Sequence, residues 1–153
     1  MEPFFRSLNL INYWMFTISK ENFDIFNNQK EKQIEFGKKY QRRVKRIELD
    51  DRVIIYVNEI NKWIMTATVT SKVKNIIKSN WIHDSIDYRY KVDLKIDKKL
   101  EETKAIEASY IAPTLEYLKR WLPEHWKLGL LDSMHILSAR DFNLLESEIN
   151  KIN

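Results

Sequence analysis

Several segments of the chain carry apolar side chains in patterns typical of β-strands. Asn12–Ile18 is apolar at both odd and even positions, which predicts a strand buried on both faces. Arg52–Val57 is a β-branched run that predicts a central strand, and the turn residues Asn58–Lys62 predict a hairpin to a second long strand, Trp63–Val73. Apolar and charged residues alternate over 88–96, which predicts a strand with one face in solvent.

Helical patterns occur at four places. Ser19 can cap a short helix that ends at about Asn28, because its hydroxyl can accept from free amides of the first turn. Apolar residues recur at helical spacing in Lys38–Ile47 and again from Pro113 to Leu122, just before another proline. The sequence Ser138–Asp141 resembles a capping box at the start of a final helix. The predicted buried faces are Tyr40, Val44 and Ile47; Leu115, Leu118 and Trp121; and Phe142, Leu145 and Ile149.

The order of these elements predicts the fold class. Long hairpin-joined strands with helices toward the ends favour an α+β domain around a curved, largely antiparallel sheet or barrel. Lys104–Ser109 is a weaker strand candidate. The chain has 153 residues, two glycines, three prolines and no polar linker, so we expect one domain over 12–153 after an N-terminal extension over 1–11.

Composition excludes several classes of protein. The chain has no Cys, which excludes disulfides and thiolate chemistry and favours a cytoplasmic location. No stretch approaches the roughly 18 apolar residues of a membrane helix, so we expect a soluble protein with no membrane contact. Two glycines are too few for glycine-rich phosphate or dinucleotide loops, and the pairs His83-Asp84 and Glu124-His125 lack metal-ligand spacing. No cofactor or metal is therefore expected, and the histidines are interpreted as surface or satisfied core residues.

Charge is unevenly distributed along the chain. Residues 1–96 carry a net charge of +6 and residues 97–153 a net charge of −2. Within 38–46 there are six cations and no anion, with two inward-facing apolar positions between them. A solvated basic face is the alternative, but an uninterrupted cationic run favours contact with several phosphates of a nucleic acid. The candidate phosphate-binding residues are Lys38, Lys39, Arg42, Arg43, Lys45 and Arg46.

Aromatic residues are abundant, with five Trp, seven Tyr and seven Phe. Taken singly, each is expected to fill the core, because a small domain needs large side chains to do so. Two or three that face each other across a gap would instead form a slot for a planar base.

The order of several short motifs resembles a known family. The motifs are Asn12–Ile18, Glu35–Tyr40, Ile47–Tyr56, Tyr88–Leu94 and a closing segment over 119–142. In this order and spacing they resemble EVE-domain proteins of the PUA-like superfamily, which are relatives of YTH and ASCH domains. The resemblance covers about residues 12–150.

The resemblance implies a PUA-like, curved and mostly antiparallel β-barrel with flanking helices. It also implies a pocket that accepts one nucleobase, often modified, displaced from DNA or RNA, and a protein that reads the modification without catalysing a reaction. DNA and RNA are both compatible with it, and Trp121 and Trp126 are both candidates for the aromatic residue of the closing segment. The base-pocket residues carried over by position are Trp14, Glu35, Phe36, Gly37, Tyr40, Trp121 and Trp126.

The chain departs from the family pattern at two places. Phe36-Gly37 stands where the family commonly has Trp-Gly, and Asp50-Asp51 replaces a Gly-Asp turn. Glu35 could accept a hydrogen bond from the exocyclic amine of a base, or it could face water.

The sequence is also compatible with two other functions. One is an enzyme that uses Glu35 or Asp51 as a general base. The other is a protein-interaction module that docks through the acidic final helix around Glu146 and Glu148.

Overall fold

The computed structural model describes residues 11–83 and 85–153, which form eight β-strands and four α-helices. The strands are β1 (Tyr13–Ile18), β2 (Gln33–Gly37), β3 (Arg52–Val57), β4 (Lys62–Val69), β5 (Lys74–Asn75), β6 (Tyr88–Lys99), β7 (Ile106–Glu107) and β8 (Met134–Leu137). The helices are α1 (Lys20–Asn28), α2 (Gln41–Val44), α3 (Ala108–Ile111) and α4 (Ala139–Asn150). The 3₁₀ segments are Lys38–Tyr40, Glu102–Lys104, Ala112–Thr114, Glu116–Leu118 and Pro123–Leu130. The predicted extension over 1–11 lies, except for Ile11, outside the described residues.

One mixed sheet organises the molecule. Its strand order is β2-β6-β4-β3-β1-β8, with β5 beside β6 and β7 beside β4. The β1–β3 pair is parallel, and the other described pairs are antiparallel. The sheet curls into a half-barrel with helices at its faces, so the α+β class and the curved, mostly antiparallel sheet are confirmed.

The parallel β1–β3 pair determines where the basic residues lie. Parallel neighbours need a long crossover connection, because a tight turn can only reverse the chain. Here residues 19–51 form that crossover and carry α1, β2 and the basic run 38–46. Along the chain, the basic run therefore lies in the connection between two paired strands of the sheet.

The core includes β1 and the contact of α4 with the sheet. β1 lies between β3 and β8, and five of its six residues are buried, as its apolar pattern predicts. α4 packs on β1, β3, β4 and β8 through the predicted stripe of Phe142, Leu145 and Ile149, all fully buried. Phe16 and Phe36 meet edge to face with ring centroids 4.9 Å apart, a favourable aromatic geometry that joins β1 to β2.

The predicted hairpin and helix caps are present. β3 and β4 pair in antiparallel fashion across the turn at 58–61. The Ser19 hydroxyl accepts from the Asn22 amide at 3.1 Å, and α1 ends at Asn28. Ser138 caps α4 by accepting from the Asp141 amide at 3.1 Å. Asp141 does not complete the predicted capping box, because its carboxylate binds a different segment.

That segment is where the prediction of one helix from Pro113 to Leu122 is wrong. Leu115 has an extended backbone, with φ −79° and ψ 130°, and divides the region into short turns. The buried Asp141 carboxylate accepts from the backbone N–H groups of Glu116 (3.0 Å) and Tyr117 (2.9 Å) and so caps a new turn from another part of the chain. The apolar stripe is nevertheless partly correct, since Leu115 and Leu118 are buried.

Three other elements are shorter than predicted. β4 ends at Val69 instead of Val73, where the next amide, that of Thr70, bonds to the Asp93 carbonyl of β6. The weak strand over 104–109 reduces to the two residues of β7, and the helix over 38–47 reduces to a 3₁₀ turn followed by α2. None of the helices in the described part of the chain combines the length and the apolar character needed to cross a membrane.

Candidate nucleic-acid interface

The basic segment, residues 38–46, presents its cations to solvent. Tyr40, Val44 and Ile47 are buried beneath it, with 6%, 1% and 2% of their surface exposed. The six Lys and Arg side chains between them are all exposed. The amphipathic prediction is therefore correct, although one turn of 3₁₀ helix and one of α-helix replace the longer helix.

Both ends of the basic segment are hydrogen-bonded to residues that directly precede a strand, Asp87 before β6 and Asn12 before β1. At its start the Lys38 amide donates to the Asp87 carbonyl at 2.9 Å. At its end the Asn12 Nδ2 donates to the Arg46 carbonyl at 3.1 Å. The cations thus project from a backbone that is held at both ends.

A cleft opens beside the basic segment, and we call it the Tyr40 cleft. Its volume is about 400 Å³, within the range of pockets that hold small organic ligands. Three separate stretches of chain form its walls: the start of the basic segment, the turn before β6 and the turn before β8. The lining residues are Gly37, Lys38, Lys39, Tyr40, Ser85, Ile86, Asp87, Leu131, Asp132 and Ser133.

Tyr40 connects the cleft to the cations. Its hydroxyl accepts from the Ser133 amide at 2.8 Å and donates to Asp132 Oδ1 at 3.4 Å. Its ring lies 5.2 Å from the Arg43 guanidinium and 5.5 Å from Lys39 Nζ, within cation–π distance of both. Tyr40 therefore holds one cleft wall and two of the six cations together.

Asp132 places a negative charge at the edge of this positive surface. Its carboxylate lies 3.4 Å from Lys39 Nζ and 3.7 Å from Arg43 Nη1. Burial raises the pKa of Asp132, but the hydrogen bond and charge of Lys39 and the charge of Arg43 outweigh it, so the pKa lies below its ordinary value. The hydrogen bond from Arg89, together with its charge and that of Lys38, likewise lowers the pKa of Asp87. The cleft thus contains two ionised carboxylates at neutral pH.

The other predicted pocket residues divide into two groups. Gly37 and Tyr40 line the cleft, whereas Trp14 and Phe36 are buried, with 2% and 0% of their surface exposed. The Trp14 indole Nε1 donates to Asp51 Oδ2 at 2.9 Å. A Cβ on Gly37 would lie 3.0 Å from Ile86 Cγ2, so the absent side chain keeps the two walls close without filling the cleft.

The two carboxylates considered as general bases both serve the fold. Glu35 is 3% exposed, and its oxygens accept from the Ser79 hydroxyl (2.6 Å) and the Asn80 amide (3.0 Å). Asp51 is fully buried and accepts from Asn12, Trp14 and Glu48. Neither carboxylate lines the cleft. The oxygens of Glu35 hold the loop at 79–80, and those of Asp51 hold residues 12–14 and the turn at Glu48.

Trp121 and Trp126 lie in the closing segment, outside the cleft lining, and both are half-buried. The Arg120 guanidinium lies 4.5 Å from the Trp121 ring centroid, and the Tyr117 ring centroid lies 6.2 Å from that of Trp121. Trp126 has Lys127 Nζ 5.7 Å from its ring. The structure thus associates each candidate tryptophan with a cation of its own.

Histidine and the acidic final helix have structural roles. His135 is 3% exposed; its Nε2 donates to the Asp132 carbonyl at 2.6 Å, and its Nδ1 lies 2.8 Å from the Tyr117 hydroxyl. This agrees with the interpretation of a satisfied core histidine. Glu146 pairs with Arg52, and Glu148 pairs with Lys151, so the helix acids have partners within the chain. Across the described ranges, no three His, Cys, Asp or Glu side chains converge as a metal site would require.

Sequence reasoning missed three contributors to this surface. Asp87 lies among charged residues and Asp132 in a largely apolar stretch, and nothing in their spacing predicts that they meet at one cleft. Arg120 follows a lysine in a segment predicted to be a helix, where it resembles an ordinary exposed cation. The only local signal is the spacing of Arg120, which directly precedes Trp121 and follows Tyr117 by three positions.

Comparison with known proteins supports the fold. No family model and no curated protein sequence matches the chain. Among solved structures, an RNA complex of the YTH domain-containing protein Mmi1 superposes with a TM-score of 0.65 at 13% identity over 93% of this chain and 85% of that one. A protein from Rhodopseudomonas palustris gives 0.61 at 13% identity over 94% and 96%, and a hypothetical protein from Leishmania major gives 0.60 at 14% over 92% and 96%. The architecture is therefore the YTH-like, PUA-like one.

Proposed function

We propose that the protein is a non-catalytic RNA-binding domain that takes one base of a single strand into the Tyr40 cleft while the basic segment holds the phosphates. The observation that carries the proposal is the placement of the cleft. Gly37 to Tyr40 form both its wall and the start of the cationic run, so a nucleotide in the cleft has its backbone beside the exposed cations. The structurally similar Mmi1 YTH domain forms a complex with RNA, and this makes RNA the preferred nucleic acid over DNA.

The polar groups of the cleft favour particular bases. Ionised carboxylates accept hydrogen bonds but cannot donate them. Asp87 and Asp132 therefore favour a base edge rich in N–H groups, as in the amino groups of adenine, cytosine and guanine, over the carbonyl edge of uracil. A modification that changes such an amino group would alter this contact, and the cleft is the proposed reader of it.

Phosphate binding predicts a strong dependence on salt. For single strands, each cation–phosphate contact adds about 0.7 to the slope of log K against log salt. Arg42, Lys45 and Arg46 are exposed and form no ion pair within the described residues, so they are free to contact phosphates. Changing all three to Ser is expected to lower the slope by about 2 and the affinity at 0.1 M salt by about 100-fold.

The measurement is fluorescence anisotropy of a labelled single-stranded RNA pool titrated with the full chain at several salt concentrations. A matched triple variant, Lys30→Ser, Lys72→Ser and Lys78→Ser, removes the same charge from exposed lysines that form no ion pair within the described residues and do not line the cleft. It should leave the slope nearly unchanged. Equal losses in the two triple variants would indicate nonspecific attraction, and no binding by the unmodified chain would end the proposal.

The cleft is tested separately with Gly37→Val. Gly37 has an extended backbone, φ −72° and ψ 164°, which any residue adopts, so the added side chain strains no backbone dihedral and occupies the cleft by pressing on Ile86, 3.0 Å from its Cβ. Modified nucleosides in co-purifying RNA are identified by mass spectrometry. The unmodified chain should enrich one of them and return it chemically unchanged, and Gly37→Val should lose the enrichment but keep the salt slope. Retained enrichment would place the base elsewhere.

A further inference from the structure

Arg120 is supported by two aromatic rings. Its guanidinium lies 4.5 Å from the Trp121 ring centroid and 5.2 Å from that of Tyr117. Gly129 packs against the Trp121 indole. It leaves room for the ring because it has no side chain, since a Cβ there would lie 2.9 Å from Trp121 Cζ3. The three side chains together form a surface that we call the Arg120 platform: Tyr117, Arg120 and Trp121.

The charge of Arg120 has no anionic partner in the described parts of the chain. Two other guanidinium groups do have one: Arg52 lies over Phe142 and also pairs with Asp97, and Arg140 pairs with Asp141. Arg120 is exposed and lies over its aromatic rings without a carboxylate within 4.0 Å. A stacked, unpaired guanidinium presents a flat cationic face, on which nucleobases stack readily in RNA complexes.

The Arg120 platform is adjacent to the Tyr40 cleft. The side chain of His135 links them, with hydrogen bonds of 2.8 Å to the Tyr117 hydroxyl and 2.6 Å to the Asp132 carbonyl. Arg43 reaches the same place, because its Nη1 donates to the Met134 carbonyl at 3.3 Å. An RNA strand that leaves the cleft past Asp132 therefore approaches both Arg43 and the Arg120 platform.

Electrostatics around Tyr117 agree with this arrangement. Burial raises the pKa of Tyr117 and the charge of Asp132 adds to this, while the charge and hydrogen bond of Arg120 and the charge of Arg43 act to lower it. Both guanidinium groups are thus close to one hydroxyl, as is the Asp132 carboxylate. A phosphate that links two nucleotides would bind there in competition with Asp132.

We propose that the Arg120 platform is a second nucleotide subsite, in which the base next to the one in the Tyr40 cleft stacks on the Arg120 guanidinium and the phosphate between them lies near Arg43. This inference rests on the proposed function. It requires the bound RNA to contain at least two consecutive nucleotides. It also adds base stacking to the phosphate contacts made by the basic segment.

The test compares Arg120→Lys with Lys127→Ala. Lysine keeps the charge of Arg120 but not its flat face, and Lys127 is the cation beside the other half-buried tryptophan of the closing segment. With a single-stranded RNA hexamer, Arg120→Lys should weaken binding about 5- to 150-fold, the range for loss of one base stack. Lys127→Ala should change it less than about threefold, because Lys127 belongs neither to the platform nor to the basic segment and is not expected to contact the RNA. Thermal unfolding of each variant controls for stability.

A second measurement locates the contact. Hexamers that carry the photoreactive nucleoside 8-azidoadenosine, which keeps the amino group of adenine, at one position each are cross-linked to the protein by light, and the labelled peptides are identified by mass spectrometry. The platform should be labelled from a position adjacent to the one that labels Tyr40. If the unmodified chain binds the hexamer but Arg120→Lys binds equally well, or if labelling misses Tyr117 and Trp121, the platform is not a subsite although the proposed function stands. If the unmodified chain does not bind, the proposed function itself fails.

Discussion

Asp51 tests how the fold holds the basic segment in place. Its carboxylate is fully buried and accepts four hydrogen bonds. Asn12 donates two of them, from its backbone N–H at 2.9 Å and from Nδ2 at 3.3 Å. Trp14 Nε1 and the Glu48 amide donate the others at 2.9 Å each. One side chain thus joins the first strand to the turn that follows the basic segment.

The cost of removing Asp51 follows from these contacts. Each hydrogen bond to a charged group contributes about 1.5–3 kcal/mol, but the variant no longer has to bury a carboxylate, so the terms partly offset. Asp51→Ala leaves the buried indole N–H of Trp14 without an acceptor, and we expect a loss of about 3–5 kcal/mol. Asp51→Asn keeps an oxygen at the Oδ2 position but turns an NH₂ toward the Asn12 amide, which should cost about 1–3 kcal/mol.

Urea unfolding followed by circular dichroism measures these differences. Asp24→Asn is the matched control, because Asp24 is 56% exposed and forms a single surface ion pair with Lys20 at 2.7 Å. Its loss should stay below about 1 kcal/mol. If Asp51→Ala fails to fold, Asp51→Asn still gives a measurable value. An unfolding free energy of Asp51→Ala within about 1 kcal/mol of the unmodified chain would refute the anchoring role.

Three further predictions concern single positions. Gly129→Ala places a Cβ 2.5 Å from Leu118 Cδ2 and 2.9 Å from the Trp121 ring, so it should lower the free energy of unfolding by about 1–3 kcal/mol and shift tryptophan fluorescence. Asp50 has φ 71°, a left-handed backbone, so Asp50→Gly should be as stable as the unmodified chain or more so, and Asp50→Val less stable by about 1–2 kcal/mol in urea unfolding. Burial lowers the pKa of His135 to about 4 from an ordinary 6.5. As the pH falls, the imidazole is therefore protonated in the unfolded chain before it is protonated in the folded one. Stability should then be retained above pH 6.5 and fall by about 3 kcal/mol between pH 6.5 and 4, and His135→Gln should lack this component.

The strands and terminal helices could be predicted because their patterns are local. Arg52–Val57 begins and ends where the β-branched run does, and Ser19 and Ser138 cap the helices that their hydroxyls favour. The region after Pro113 could not be predicted, because a carboxylate from α4 captures the Glu116 and Tyr117 amides there. Helical spacing indicates which side chains are buried but carries no information about a cap supplied from another part of the chain.

The candidate site shows the same division. The outward direction of the cations follows from residues 38–47 alone, and the structure agrees with it. The cleft instead depends on Asp87 and Asp132, which the sheet brings to Tyr40 from distant parts of the sequence. Trp14 illustrates the converse, because its aromatic character is visible in the sequence whereas its hydrogen bond to Asp51 depends on the parallel pairing of β1 with β3.

The cations of the basic segment are not equivalent. Some are placed to set the affinity for any RNA, and others lie at the cleft, where the base would be recognised. Lys39 and Arg43 already face Asp132 and the Tyr40 ring, so a phosphate near them must compete with a carboxylate less than 4 Å away. Arg42, Lys45 and Arg46 have no such competitor among the described residues and are better placed to release counterions from a bound strand. Their contacts act alike on every sequence, whereas the Tyr40–Asp132 pair meets only the base that enters the cleft. Substitutions in the outer set should therefore scale all affinities together, and substitutions at the cleft should change their order.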